Sequence, residues 1–257
     1  MGYAYLETDT PFGFAHRGGH GAGPENTEAA FAHALSLGYR YLETDVHRSA
    51  DGVLVAFHDA ELERVAGLPG EISDYSWDRL SEVRLDGDHP IPRLDELLAR
   101  FPDARFNIDP KADDTVDPLV EIIREYEAID RVCIGSFSDD RIARAVDALG
   151  PALCTSAGPR GFLGVLQAAI RGSRWRPPYG CVQIPTSALR VPFDSAWLVS
   201  RIQRLGLQVH FWTINDEAEM ARVLDNGADA VITDETALLK EVLVGRGQWP
   251  AAPGPST

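Results

Sequence analysis

Seven ionisable residues within the first 111 positions fall into four short clusters whose spacing suits chemistry on a phosphate. His16 and Arg17 are adjacent, Glu43 and Asp45 are two apart, His58 stands alone, and Asp109 and Lys111 are again two apart. On an extended strand residues i and i+2 face the same side, so the Glu43 and Asp45 carboxylates point together and Asp109 can converge with them. Three hard oxygen ligands suit Mg2+ or Ca2+, with Mn2+ a further candidate. Lys111 is one of only two lysines among many arginines, the other being Lys240. A cation flanked by Arg17 and Lys111 would neutralise a phosphate, and His16 and His58, arriving from separate segments, would supply acid and base near neutral pH.

The elements that must position these clusters alternate. Short apolar, β-branched runs read as strands at 12–15, 39–46, 104–108, 132–135, 152–155, 181–184, 207–214 and 230–233. Apolar residues at helical spacing read as helices at 27–37, 94–101, 116–126, 140–149, 161–170, 195–205, 217–226 and 237–243. Eight βα units in a chain of this length predict an α/β fold of the (β/α)8 TIM-barrel type, with a doubly wound open sheet as the runner-up. After the second strand, ADGVLVAFHD reads as a hairpin return, and residues 59–92 read as a small insertion over one end of the barrel. The expected organisation is one barrel domain over 10–245 and a flexible, Gly/Pro-rich tail over 246–257. In such a barrel reactive groups sit at the carboxyl ends of the strands. All four clusters fall at that rim.

Composition narrows the partners. The net charge of −15 disfavours nucleic acid, and residues 1–130 carry 27 acidic against 11 basic residues. Cys133, Cys154 and Cys181 are odd in number and far apart, which supports neither a disulfide framework nor a CxxC zinc site; they read as buried small hydrophobes in a reducing compartment. The start of the sequence lacks a basic, long apolar leader, and no transmembrane run is present, so a soluble, cytoplasmic protein is expected.

In order and spacing, His16-Arg17-Gly18-Gly19, Pro24-Glu25-Asn26-Thr27, Glu43-Thr44-Asp45-Val46, Asp51-Gly52 and His58-Asp59 resemble the glycerophosphodiester phosphodiesterase family. Ile91-Pro92-Arg93-Leu94, Gly135-Ser136-Phe137-Ser138, Trp212-Thr213-Ile214-Asn215, Gly227-Ala228-Asp229 and Ile232-Thr233-Asp234 extend the likeness over roughly residues 13–240. The resemblance implies a TIM barrel that hydrolyses glycerophosphodiesters to glycerol 3-phosphate and an alcohol, with a divalent cation held by carboxylates. It implies His16 and His58 as the general acid/base pair, Arg17 and Lys111 as phosphate clamps, and Glu43, Asp45 and Asp109 as metal ligands. Two positions depart from the family's pattern: Asp109 stands where Glu is usual, and Pro110 where an aliphatic residue is usual. The rival readings are phospholipase D-like activity on lysophospholipids and a barrel that binds without turnover.

Neighbouring residues carry blander expectations. Thr27 reads as a helix N-cap, with Glu25 and Asn26 as supports of the site. Trp212 and Asn215, at the end of the seventh strand, read either as packing or as substrate contacts. Arg160 and Arg190 fall at the same rim, facing the distal end of a substrate.

Overall fold

The computed structural model describes residues 2–8, 11–188 and 191–249. Eight strands form its centre, numbered here β1 (Phe12–Ala15), β2 (Tyr41–Arg48), β3 (Arg105–Pro110), β4 (Val132–Ile134), β5 (Cys154–Thr155), β6 (Cys181–Ile184), β7 (Gln208–Phe211) and β8 (Ala230–Thr233). Hydrogen bonding runs β5-β4-β3-β2-β1-β8-β7-β6, every neighbour parallel. The two ends of that path meet where Ser156 bridges Cys181, so the sheet curls into a barrel and the open-sheet alternative falls away. Leu54–Ala56 returns antiparallel along β2, the hairpin that the sequence foretold.

Helices follow most strands, and their starts are written in the loops. Thr27 accepts from the Ala30 amide before the helix Glu28–Leu37, and Ser138, Ser195 and Asp216 cap Asp139–Leu149, Ala196–Arg204 and Glu217–Asp225 in the same way. Apolar side chains pack between strands and helices. Inside the barrel, at the end where the strands begin, Phe12, Phe14, Tyr41 and the three free, buried cysteines pack with Tyr5 of the amino-terminal segment. That end is filled, and the opposite rim carries the polar groups.

The insertion has its own small core of Val55, Phe57, Leu62, Ile72, Leu80, Leu85 and Ile91. It consists of the helical turns Glu63–Ala66 and Trp77–Leu80 and a two-residue-stranded hairpin, Arg84–Leu85 with His89–Pro90. At the other terminus, where a tail was expected over 246–257, residues up to 249 are packed. Arg246 pairs with Asp225 at 2.8 Å, and the Trp249 ring stands edge-on to Tyr39 at 5.0 Å. Residues 250–257, and Arg190, lie outside the described residues. No described helix is long and apolar enough to cross a membrane.

Candidate active site

His16 and Arg17, and Asp109 and Lys111, stand at the carboxyl ends of β1 and β3, whereas Glu43 and Asp45 lie within β2 and His58 follows the returning strand Leu54–Ala56. His16 and Arg17 follow β1 in a tight turn where Arg17 has φ of 52°, and Gly18 follows with φ of 89°. A β-carbon at Gly18 would come within 2.6 Å of the Ala30 side chain, so glycine is required there. The strained Arg17 backbone is held on both sides: its amide donates to Glu43 Oε2 at 3.1 Å and its carbonyl accepts from the Asn26 amide at 2.7 Å. Asn26, itself at φ of 58°, is buried; its amide donates to Asp45 Oδ2 at 3.2 Å and its carbonyl accepts from the Thr44 hydroxyl at 2.8 Å.

The two histidines are each oriented by a carboxylate. His16 Nδ1 lies 2.7 Å from Asp234 Oδ1, with its Nε2 3.8 Å from Glu43 Oε2. Asp234 is fixed in turn by the Asn215 amide at 2.7 Å, and Asn215 is fixed by the Thr233 hydroxyl and the Asp234 amide. His58 Nδ1 lies 2.6 Å from Asp59 Oδ1, and its carbonyl meets His47 Nε2 at 3.0 Å. Burial opposes a charge on His16, but Glu43 and Asp234 outweigh it and raise its pKa above the ordinary value.

Glu43, Asp45 and Asp109 enter from paired strands, Asp45 and Asp109 standing directly opposite in the β2–β3 register. Lys111 occupies the space between that pair, with Nζ 2.6 Å from Asp45 Oδ1 and 2.9 Å from Asp109 Oδ2. Arg17 Nε lies 3.2 Å from Asp45 Oδ2, but the contact lacks hydrogen-bond geometry. Among the described residues no three His, Cys, Asp or Glu side chains are gathered as a metal would hold them. The donor set nevertheless suits a hard cation. Asp109 Oδ1 is buried without a well-formed hydrogen bond, and burial raises its carboxyl against the pull of Lys111. Burial, followed by the Asp45 charge, pushes the Glu43 carboxyl up to about 7. Asp45 stays below its ordinary range: Lys111 and Arg17 overcome its burial.

A family model described as the glycerophosphoryl diester phosphodiesterase family matches residues 16–238, nearly the whole barrel. The chain belongs to that family. It is 39% identical over 234 residues to a Mycobacterium tuberculosis protein named "Probable glycerophosphodiester phosphodiesterase 2", covering 89% of each chain. A Rattus norvegicus protein named lysophospholipase D is 26% identical, with 89% of this chain and 85% of that one covered. Among solved structures, an Oleispira antarctica phosphodiesterase in complex with the product sn-glycerol-3-phosphate is 25% identical with a TM-score of 0.76, covering 91% of this chain and 97% of that one. A Silicibacter pomeroyi structure, 23% identical with a TM-score of 0.80 over 97% of this chain and 100% of that one, shares the fold.

Within this glycerophosphoryl diester phosphodiesterase family member, the structure adds residues that spacing alone did not single out. Asp234 and Asp59 lie in runs noted in the sequence; Asp59 is the neighbour of His58, whereas Asp234 is 218 positions from His16, a pairing with no spacing signal. Arg64, from the insertion, meets both Asp59 and Glu25. Asn215 bonds Asp234 and so supports His16. Trp212 packs edge-on to Phe137 at 6.0 Å. Arg160 is engaged by Asp139 and Asp140 on the outer rim.

Proposed function

We propose that this chain hydrolyses glycerophosphodiesters to glycerol 3-phosphate and an alcohol, with His16 and His58 as the acid/base pair. The observation that carries the reading is the pairing of each histidine with its own carboxylate, Asp234 or Asp59, at the rim that also holds Arg17 and Lys111. A phosphodiester resists attack because it is anionic and its alkoxide leaves poorly, so the site must neutralise the phosphoryl oxygens, take a proton from the nucleophile and return one to the departing oxygen. Arg17 and Lys111 supply the neutralising charge. His16, whose pKa Glu43 and Asp234 raise against its burial, donates to the leaving oxygen through Nε2. His58, whose Nδ1 is engaged by Asp59, accepts the nucleophile's proton on Nε2.

Glu43, Asp45 and Asp109 are the residues that would hold a divalent cation, Mg2+ or Ca2+, with Mn2+ also to be tested. Such an ion supplies Lewis-acid neutralisation of the phosphate. The three free, buried cysteines support a reducing, cytoplasmic setting. A second substrate class is favoured by one feature: Phe137, 71% exposed, stands with Trp212 at the rim and suits the acyl chain of a lysophospholipid.

The test is hydrolysis of glycerophosphocholine, glycerophosphoethanolamine, a lysophospholipid and bis(4-nitrophenyl) phosphate with Mg2+, Ca2+, Mn2+ or EDTA. Cleavage of a glycerophosphodiester with release of glycerol 3-phosphate is expected, together with a loss of about 10²–10⁴-fold in His16→Ala and His58→Ala. No cleavage with any metal, or wild-type rates in both variants, would sink the proposal; the lysophospholipid arm separates the two substrate classes.

A further inference from the structure

The insertion reaches back into the site through Arg64, which stands on the turn Glu63–Ala66. Its guanidinium meets two carboxylates at once. Nη1 and Nη2 donate to Glu25 Oε2 and Oε1 at 3.0 and 2.6 Å, and Nε donates to Asp59 Oδ2. Each carboxylate is also the anchor of a residue assigned above to the chemistry. The second oxygen of Asp59 holds His58 Nδ1 at 2.6 Å, and Glu25 Oε1 accepts from Arg17 Nη1 at 3.1 Å. A continuous chain of ion pairs therefore runs His58–Asp59–Arg64–Glu25–Arg17.

We propose that Arg64 is a positioning residue: by clamping Asp59 and Glu25 together it fixes the base His58 and the phosphate clamp Arg17 in one relative geometry. The inference rests on the function proposed above. Several features argue for it over a surface ion pair. The contact uses all three guanidinium nitrogens, and the planar fork of arginine is the side chain able to hold two carboxylates in this way. Without it, Asp59 and Glu25 would be two like charges facing the same gap, each free to turn away from its partner. Arg64 is about half exposed, so the pairs themselves add little to stability. Their effect lies in where they hold His58 and Arg17. The Asp59 carboxyl is depressed to about 2, first by the Arg64 hydrogen bond, and Glu25 is lowered by Arg64 and Arg17 against its burial, so both remain carboxylates throughout the neutral range. The insertion thereby becomes part of the site although it contributes no group to the reaction itself.

The experiment compares Arg64→Ala and Arg64→Lys with wild type, each also in an Asp59→Asn/Glu25→Gln background, on bis(4-nitrophenyl) phosphate. Arg64→Ala is expected to lower kcat about 10–100-fold, the scale of a misplaced catalytic group, and to raise KM severalfold as Arg17 loosens. Arg64→Lys, which keeps the charge and the fold but cannot bridge both carboxylates, should recover only a small part of kcat. With Asp59 and Glu25 already neutral, Arg64→Ala should change kcat less than twofold. A second readout needs no turnover: the downfield proton on His58 Nδ1, held by Asp59 in wild type, should broaden or vanish in the NMR spectrum of Arg64→Ala. Unchanged kcat in Arg64→Ala, or a loss that persists in full in the neutralised background, overturns the inference. A wild-type chain that cleaves no diester would end the proposed function instead, and the His58 proton would then decide by itself whether Arg64 positions the ring.

Discussion

Glu43 carries the least settled charge of the site. Burial, then Asp45, raises its carboxyl from 4.5 to about 7, against the pull of His16, Lys111 and Arg17. The native state therefore keeps a proton that the unfolded chain has already lost between those values. Stability from this group is full below about 4.5 and is lost as pH rises through about 7. A divalent cation bound at Glu43 would favour the ionised form and reverse the trend. In EDTA the thermal midpoint is expected to fall from about pH 5 to about pH 7.5, and Mg2+ or Ca2+ should raise it most at the upper end, with Glu43→Gln flattening both effects. A cation-induced rise no larger at the upper pH than at the lower removes Glu43 from the ligand set. His16 bears the complementary prediction. Asp234→Asn withdraws one of the two charges that raise its pKa, so the protonated form should be lost at lower pH. The alkaline limb of the kcat/KM profile should then shift toward acid, with kcat down about 10²-fold. An unmoved limb would mean that His16 is not the proton donor.

The elements that were most legible in the sequence are those whose signal is local. The pairing of Glu43 with Asp45 and of Asp109 with Lys111, the hairpin after β2, and the Thr27 cap all follow from spacing over a few residues, and the structure keeps them. Strand ends were less exact. The seventh apolar run suggested 207–214; the regular strand ends at Phe211, although the Trp212 and Ile214 amides still bond Ile184 O and Ile232 O at 3.2 and 3.0 Å. Asp234 and Arg64 were not legible as partners of the site, since contacts between residues 218 or 39 positions apart leave no period in the sequence. Lys111, expected as a phosphate clamp, is held between two carboxylates, of which only Asp109 is close in sequence. The insertion was legible only as an interruption. Its buried Leu62, Ile72, Leu80 and Leu85 show that it is a folded element, and because Arg64 rides on it, its packing should matter for activity. Leu80→Ala, at a fully buried side chain, is expected to cost about 2–5 kcal/mol in denaturant unfolding. If the cost is within the noise of a surface substitution, the insertion is not packed as a unit with the barrel.

At the scale of the whole molecule, closure of the barrel is uneven. β2 and β3 share a register running from Tyr41–Arg105 to Val46–Pro110, whereas β5 and β6 meet only through the Ser156–Cys181 bridge. The seam is held by the Gly180 amide on Thr155 O at 2.9 Å, the Ala157 amide on Cys181 O at 3.0 Å and the Gln183 amide on Ser156 Oγ at 3.1 Å. All the residues assigned to the chemistry arise on or beside β1, β2, β3, β7 and β8, so the long β2–β3 pairing lies within the site and the seam between β5 and β6 lies away from it. This division predicts where the native barrel opens first. Ser156 is buried, and Ser156→Ala leaves the Gln183 amide without its acceptor, a loss of about 1–3 kcal/mol. Amide exchange at Ala157, Gly180 and Gln183 should outpace that in β2 and β3 in the wild type, and Ser156→Ala should widen the gap, since opening the seam breaks few bonds while opening β2 from β3 dismantles the site. Diester hydrolysis by Ser156→Ala at temperatures below its midpoint should stay near wild type. Equal protection across the seam and the β2–β3 pair would show that the barrel opens as one unit, with the short β5 no weaker than the strands that hold the carboxylates.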